Sequence, residues 1–134
     1  MFRVYNKITK EWIKDGIYLS PNDKFSTDKN AIFGKKKKFF VTDDRYVYHR
    51  DIGLLDCDNV LIYEGDILEV KPNEDKIVNM LVTYLPEIAA YVLLDFNDYK
   101  YYPLGSDKSK YIKVIGNVFD NLDLLPSEAY KELK

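Results

Sequence analysis

Between residues 77 and 96 the apolar side chains keep a period of two. Val78, Met80, Val82 and Tyr84 fall on one side of an extended backbone, with Asn79 and Thr83 on the other. Ala90, Val92, Leu94 and Phe96 repeat the arrangement after Leu85-Pro86-Glu87. Successive side chains of a strand point to opposite faces, whereas a helix needs a period near 3.6, so both stretches are committed to β-structure. The intervening Leu-Pro-Glu reads as the loop of a hairpin.

Neighbouring segments extend this pattern. In Ile62-Tyr63-Glu64-Gly65-Asp66-Ile67-Leu68-Glu69-Val70, Gly65 suits a tight turn with positive φ that launches a strand over 66–71, ended by Pro72-Asn73-Glu74-Asp75. Asn97-Asp98 turns into a strand from Tyr99 to Leu104, which Gly105-Ser106-Asp107 ends. The last strand runs from Tyr111 to Val118, with a bulge or bend at Gly116. Five short strands with tight connections predict a small, partly open β-barrel of the SH3-like type, although pattern alone leaves strand order open. Asn121 to Leu125 reads as a helical turn closing one barrel end, and Pro126-Ser127-Glu128 as the start of a short C-terminal helix.

Upstream the signals are also β. Phe2 to Tyr5 alternates, Glu11 to Lys14 could pair back onto it, and Asp15-Gly16 is a turn before Ile17-Tyr18-Leu19. Residues 22–31 look polar and irregular apart from Phe25, and 38–49 reads as a hairpin. The expected class is therefore mainly β, a β-rich α+β chain. An N-terminal β-rich unit would occupy 1–58, the barrel 59–125 and a tail or short helix 126–134.

Composition narrows the function classes. The chain has 134 residues, enough for a core without covalent staples. Its twelve tyrosines and seven phenylalanines favour strands and half-buried faces. A net charge of −2 with mixed signs argues against a general nucleic-acid binder, which carries a basic excess. The single cysteine, Cys57, excludes an intramolecular disulfide and fits a reducing, cytoplasmic compartment. The first residues lack a signal-peptide apolar core, and no apolar run reaches membrane-spanning length, so a soluble protein is expected.

Three ordered motifs resemble the YopX-like family of phage and prophage proteins. The first is Phe2-Arg3-Val4-Tyr5-Asn6-Lys7 with Trp12 following. The second is Asp51-Ile52-Gly53-Leu54-Leu55-Asp56 with Ile62-Tyr63-Glu64-Gly65-Asp66-Ile67. The third is Val114-Ile115-Gly116-Asn117 with Asn121 to Leu125. Two departures stand out: the family's threonine before Gly-Leu is missing, and Val60 replaces the turn glycine expected near Asn59. The resemblance implies an N-terminal β-rich part, a C-terminal SH3-like barrel and a gene resident in a phage or prophage of a Gram-positive bacterium. It supplies no catalytic residue.

The chemistry-bearing residues divide into corners and candidate surfaces. Glu64 and Asp66 flank Gly65 and could hold a cation, but acids in turns commonly accept backbone N–H bonds, so Glu64, Gly65, Asp66, Gly116 and Asn117 are read as structural turn residues. Asp56, Asp58 and Asn59 have only part of a calcium-loop pattern. His49 and Cys57 are read as spectators, because a nucleophile needs a base and an oxyanion site. No catalytic, cofactor or metal residue is expected. Two surfaces can bind. Lys35, Lys36, Lys37 and Lys38 beside Phe39 and Phe40 could neutralise phosphates and stack on bases, or form a solvated, charge-protected edge. Tyr99, Tyr101, Tyr102 and Tyr111 could line a peptide groove, a sheet face or a subunit interface.

The functional expectation is a non-enzymatic protein-interaction module that contacts a host or phage protein, or itself, in the host cytoplasm. The alternative is a nucleic-acid-associated accessory or regulatory factor using the Lys35–Lys38 run. Neither reading involves a membrane.

Overall fold

The computed structural model describes residues 2–13, 18–19, 25–26 and 45–129. The chain divides into two compact units, Met1–Arg50 and Asp51–Lys134.

In the first unit, β1 (Phe2–Asn6) pairs antiparallel with β2 (Glu11–Trp12), placing Tyr5 opposite Trp12. Asn6 shapes the turn between them: its side-chain oxygen accepts from the N–H of Ile8 and of Thr9. The other edge of β1 pairs with the first half of β5 (Tyr46–Leu55), from Phe2 opposite Arg50 to Asn6 opposite Tyr46. Val4 is fully buried, packed by Phe2, Ile13 and Tyr46. Two further strands, β3 (Tyr18–Leu19) and β4 (Phe25–Ser26), pair with each other. Strand β4 lies where the sequence looked irregular, because cross-strand bonding to β3 fixes an extended backbone that local pattern does not demand. The first half of the expected 38–49 hairpin falls outside the described residues.

The second unit carries the predicted barrel. Its strands are β7 (Asp66–Asn73), β8 (Lys76–Leu85), β9 (Ala90–Asp95), β10 (Lys100–Pro103) and β11 (Ile112–Asn117). The sheet order is β10-β9-β8-β7-β11, all antiparallel. Four strands meander and the fifth returns to pair with the first, curling the sheet into an SH3-like half-barrel. A 3₁₀ segment, Ser106–Tyr111, carries the chain back to β11. It holds Tyr111, which the sequence had assigned to the strand. Pro72 lies inside β7 rather than ending it. The ladder with β8 is irregular between Val70 and Asn73, where a missing N–H costs least. A second irregularity, between Val114 and Gly116, is the bulge expected in β11.

Each face of this sheet carries a buried apolar cluster. On one, Leu68, Val78, Met80, Val82, Leu93 and Ile112 pack with Ile62 of β6 (Leu61–Tyr63) and with Ile52 and Leu54. On the other, Ile67, Leu81 and Phe96 are covered by Leu122, Leu124, Leu125 and Ala129. The covering segment is a 3₁₀ turn, Leu122–Leu124, followed by a helix beginning at 127–129. Two-sided cover explains why Ile67 and Leu68, adjacent in sequence, are both fully buried. No helix of the described residues is long and apolar enough to cross a membrane.

Candidate binding cleft

The end of the β7–β8 hairpin, the end of β10 and the Ser106–Tyr111 segment stand around a cleft of about 530 Å³. Its floor is core: Val78, Met80, Leu93 and Ile112 are each at most 6% exposed. They reach it because strand alternation sends these residues to the same face. The hairpin tip is set by Asn73, whose side-chain oxygen accepts from the N–H of Asp75 at 3.0 Å. Above the floor stand Tyr102, Pro103 and Tyr111, with Lys71, Lys76, Lys108 and Asp107 at the mouth. A shallower depression of about 420 Å³, lined by Lys71, Pro72, Asn73, Glu74 and Tyr111, shares all but Glu74 with the cleft.

Hydrogen bonds hold several of these walls. The Tyr102 hydroxyl donates to Asp98 Oδ2 at 2.6 Å. This bond holds the Asp98 carboxyl below, and the Tyr102 phenol above, its usual range. Lys108 Nζ donates to the Pro103 carbonyl at 3.2 Å, tying the 3₁₀ segment to β10. Asp95, buried at the base, accepts from both the backbone and side-chain nitrogens of Asn97, at 2.9 and 3.1 Å.

Of the four tyrosines singled out in sequence, Tyr102 and Tyr111 line this cleft. Tyr99 packs edge-on against Phe96, 6.0 Å between ring centres, and Tyr101 is half exposed opposite Leu94 of the other face. Lys71, Lys76 and Lys108 carry no such signal. Nothing local distinguishes them, because the cleft exists only once the hairpin and the 3₁₀ segment flank the same stretch of sheet.

The turn residues lie elsewhere. Gly65 has φ of 82°; its N–H donates to Val82 and its carbonyl accepts from Val118, both at 2.9 Å, so it joins β8 to the end of β11. Asp66, 1% exposed, accepts from the N–H of Tyr63 at 2.8 Å, and half-buried Glu64 occupies the same turn. The Asn117 side-chain oxygen accepts from the N–H groups of Phe119 and Asp120, both at 3.0 Å. Gly116 lies so close to Asn121 that an added Cβ would sit 2.5–2.6 Å from its side chain.

Asp56, read in sequence as part of a loop of turn formers, is 3% exposed and its oxygens are engaged. Oδ1 accepts from Asp58 and Val60 and Oδ2 from Val114, at 2.8, 2.8 and 2.9 Å. Burial pushes its carboxyl up, but these three N–H groups together with Lys113 bring it below the ordinary value. Asn59 itself takes the positive φ, 62°, which supplies the turn without a glycine. Cys57 is exposed on this loop.

His49 belongs to the first unit, facing Arg3 and Trp12. Arg3 Nη2 lies 3.4 Å from His49 Nδ1, and its guanidinium stands over the Trp12 ring at 4.7 Å. Arginine has only donors, so Nδ1 must be the acceptor and the imidazole neutral. Burial first, and the Arg3 charge second, lower its pKa to about 4. Lys35 to Lys38, Phe39 and Phe40 fall outside the described residues.

A family model described as YopX protein matches residues 1–126. The fold is similar to the crystal structure of protein EF1440 from Enterococcus faecalis, with TM-score 0.62 and 18% identity over 93% of this chain and 96% of that one. It is also similar to the crystal structure of protein yopX from Bacillus subtilis, with TM-score 0.61 and 16% identity over 93% and 97%. No curated protein sequence matches it.

Proposed function

The chain belongs to the YopX protein family, and on that footing we propose that it acts by binding another protein, without catalysis, through the cleft beside Tyr111. The observation that carries this reading is a concave apolar floor, Val78, Met80, Leu93 and Ile112, opening between two aromatic walls and a lysine-bearing mouth. Recognition sites have this composition: apolar area supplies affinity and a few placed polar groups supply orientation. The acids that first suggested chemistry, Asp56 and Asp66, accept backbone N–H bonds instead. A phage or prophage protein meeting a partner of its own or of its host in the cytoplasm fits this role.

The test is capture from a lysate of a Gram-positive bacterium on immobilised protein, with and without nuclease. Partners that survive nuclease and are lost with the surface variant Lys71→Glu/Tyr111→Ser are expected. Capture that nuclease abolishes would favour the nucleic-acid reading built on Lys35–Lys38. Capture unaffected by the variant would remove the cleft from the account.

A further inference from the structure

We infer that strand β10 is closed to strand addition by Pro103 and Lys108, which together keep a second copy of this chain from extending the sheet. The inference concerns backbone groups at an edge and stands apart from the cleft reading, so capture through the cleft can succeed or fail without touching it.

Strand β10 is the last of its sheet, so one side of its backbone bonds to β9 and the other faces away. In an antiparallel ladder the N–H and C=O of a residue point to the same side, and that side alternates along the strand. The Pro103 carbonyl accepts from Lys108 Nζ at 3.2 Å, and Lys108 belongs to the 3₁₀ segment, outside the ladder. Proline is tolerated in an edge strand where its nitrogen faces away from the neighbour. Both considerations place Pro103 outward. Alternation then places Tyr101 outward with it and turns Tyr102 toward Leu93 of β9. Tyr99, with φ of 56°, leaves the extended region, so the edge reaches no further in that direction.

Two copies joined by a shared edge form a two-fold, antiparallel arrangement. The register centred on Tyr102 sets Tyr101 of each copy opposite Pro103 of the other. Such a pair is held by an N–H to C=O bond in each direction. Here both bonds are forestalled: Pro103 has no N–H to give, and Lys108 already occupies its carbonyl. The neighbouring register, Tyr101 opposite itself, keeps a single bonded pair, because Pro103 would then face Tyr99 outside the strand. Proline and lysine are the residues that guarded edges carry. The opposite end of the sheet is closed as well, by the bonds of Cys57 to Ile112 and of Val114 to Asp56.

The test is sedimentation of the full chain over a concentration series, with amide exchange as a second readout. Pro103→Val/Lys108→Ala restores the missing donor and frees the carbonyl. Its average mass should rise with concentration toward that of a dimer, beyond wild type, and each single variant should fall short of it. Adding Tyr101→Pro should reverse the rise. In wild type the Tyr101 amide should exchange much faster than that of Tyr102, and in the double variant it should slow as the mass rises. Thermal melts establish that each variant is folded. A folded double variant that matches wild type, or association that survives Tyr101→Pro, would overturn the inference. So would a Tyr101 amide protected in wild type, a measurement that needs no substitution and decides the matter even where a variant fails to fold.

Discussion

The carboxylate of Asp56 accepts a 2.9 Å hydrogen bond from the backbone N–H of Val114, a residue 58 positions later in the chain. The same loop returns a second bond, from the Cys57 N–H to the Ile112 carbonyl at 3.0 Å. The outer edge of β11 is thus occupied by a loop whose own turn is closed by the same carboxylate. An open strand edge invites pairing with other chains, and this edge is covered.

Asp56→Ala should therefore cost about 3 kcal/mol or more, since three backbone donors lose a charged acceptor. Amide exchange at Val114 should rise with it. The pH dependence follows from the lowered carboxyl pKa. The stabilisation is present above the ordinary carboxylate range and is lost as pH falls through the folded-state value, so acid melts should separate wild type from the variant least at the lowest pH.

His49 is the single histidine, so its ring resonances report one site. They should titrate with a midpoint of about 4. Between that value and the ordinary histidine value of 6.5 the unfolded chain binds a proton that the folded chain refuses. Stability is consequently full above the upper value and declines as pH falls, by about 3 kcal/mol at most. In Arg3→Gln the midpoint should rise only part of the way, because burial is the larger cause.

Two glycines should respond differently to alanine. Gly53 has φ of 77° and open space where a Cβ would go, so Gly53→Ala should cost only the left-handed strain, about 1 kcal/mol. Gly116→Ala collides with the Cβ and the amide of Asn121, whose Oδ1 accepts from the Asn117 N–H. A loss of about 2–3 kcal/mol is expected there, as for overpacking elsewhere. Part of it should be recovered in the Asn121→Gly background. Equal melting temperatures for the two alanine variants would contradict the steric account.

Leu125, 4% exposed, seals the second face of the sheet against Ile67, Leu81 and Phe96. Leu125→Ala should destabilise the second unit by about 2–3 kcal/mol. Truncation before Leu122 should expose that face and produce dye binding or aggregation. An unchanged denaturation midpoint in either case would mean that the face needs no cover.

Much of this architecture was written locally. The alternation of Val78, Met80 and Val82, the glycine between Glu64 and Asp66 and the bulge at Gly116 are legible because period and backbone permissiveness act over a few residues. The same locality explains what was not legible. Leu81, on the face with Asn79 and Thr83, is buried because Leu125 returns over it from beyond β11. Phe25 and Ser26 are extended because Tyr18 and Leu19 pair with them.

The cleft shows the division most sharply. The short-range pattern of side chains assigned strands, corners and an aromatic-rich surface, since those follow from backbone geometry and solvation at each step. Which of the tyrosines would share a recess with Lys71 and Lys108, and whether Asp56 would meet solvent or the N–H of Val114, followed from chain return. Such contacts join residues far apart in sequence, and no local preference encodes them.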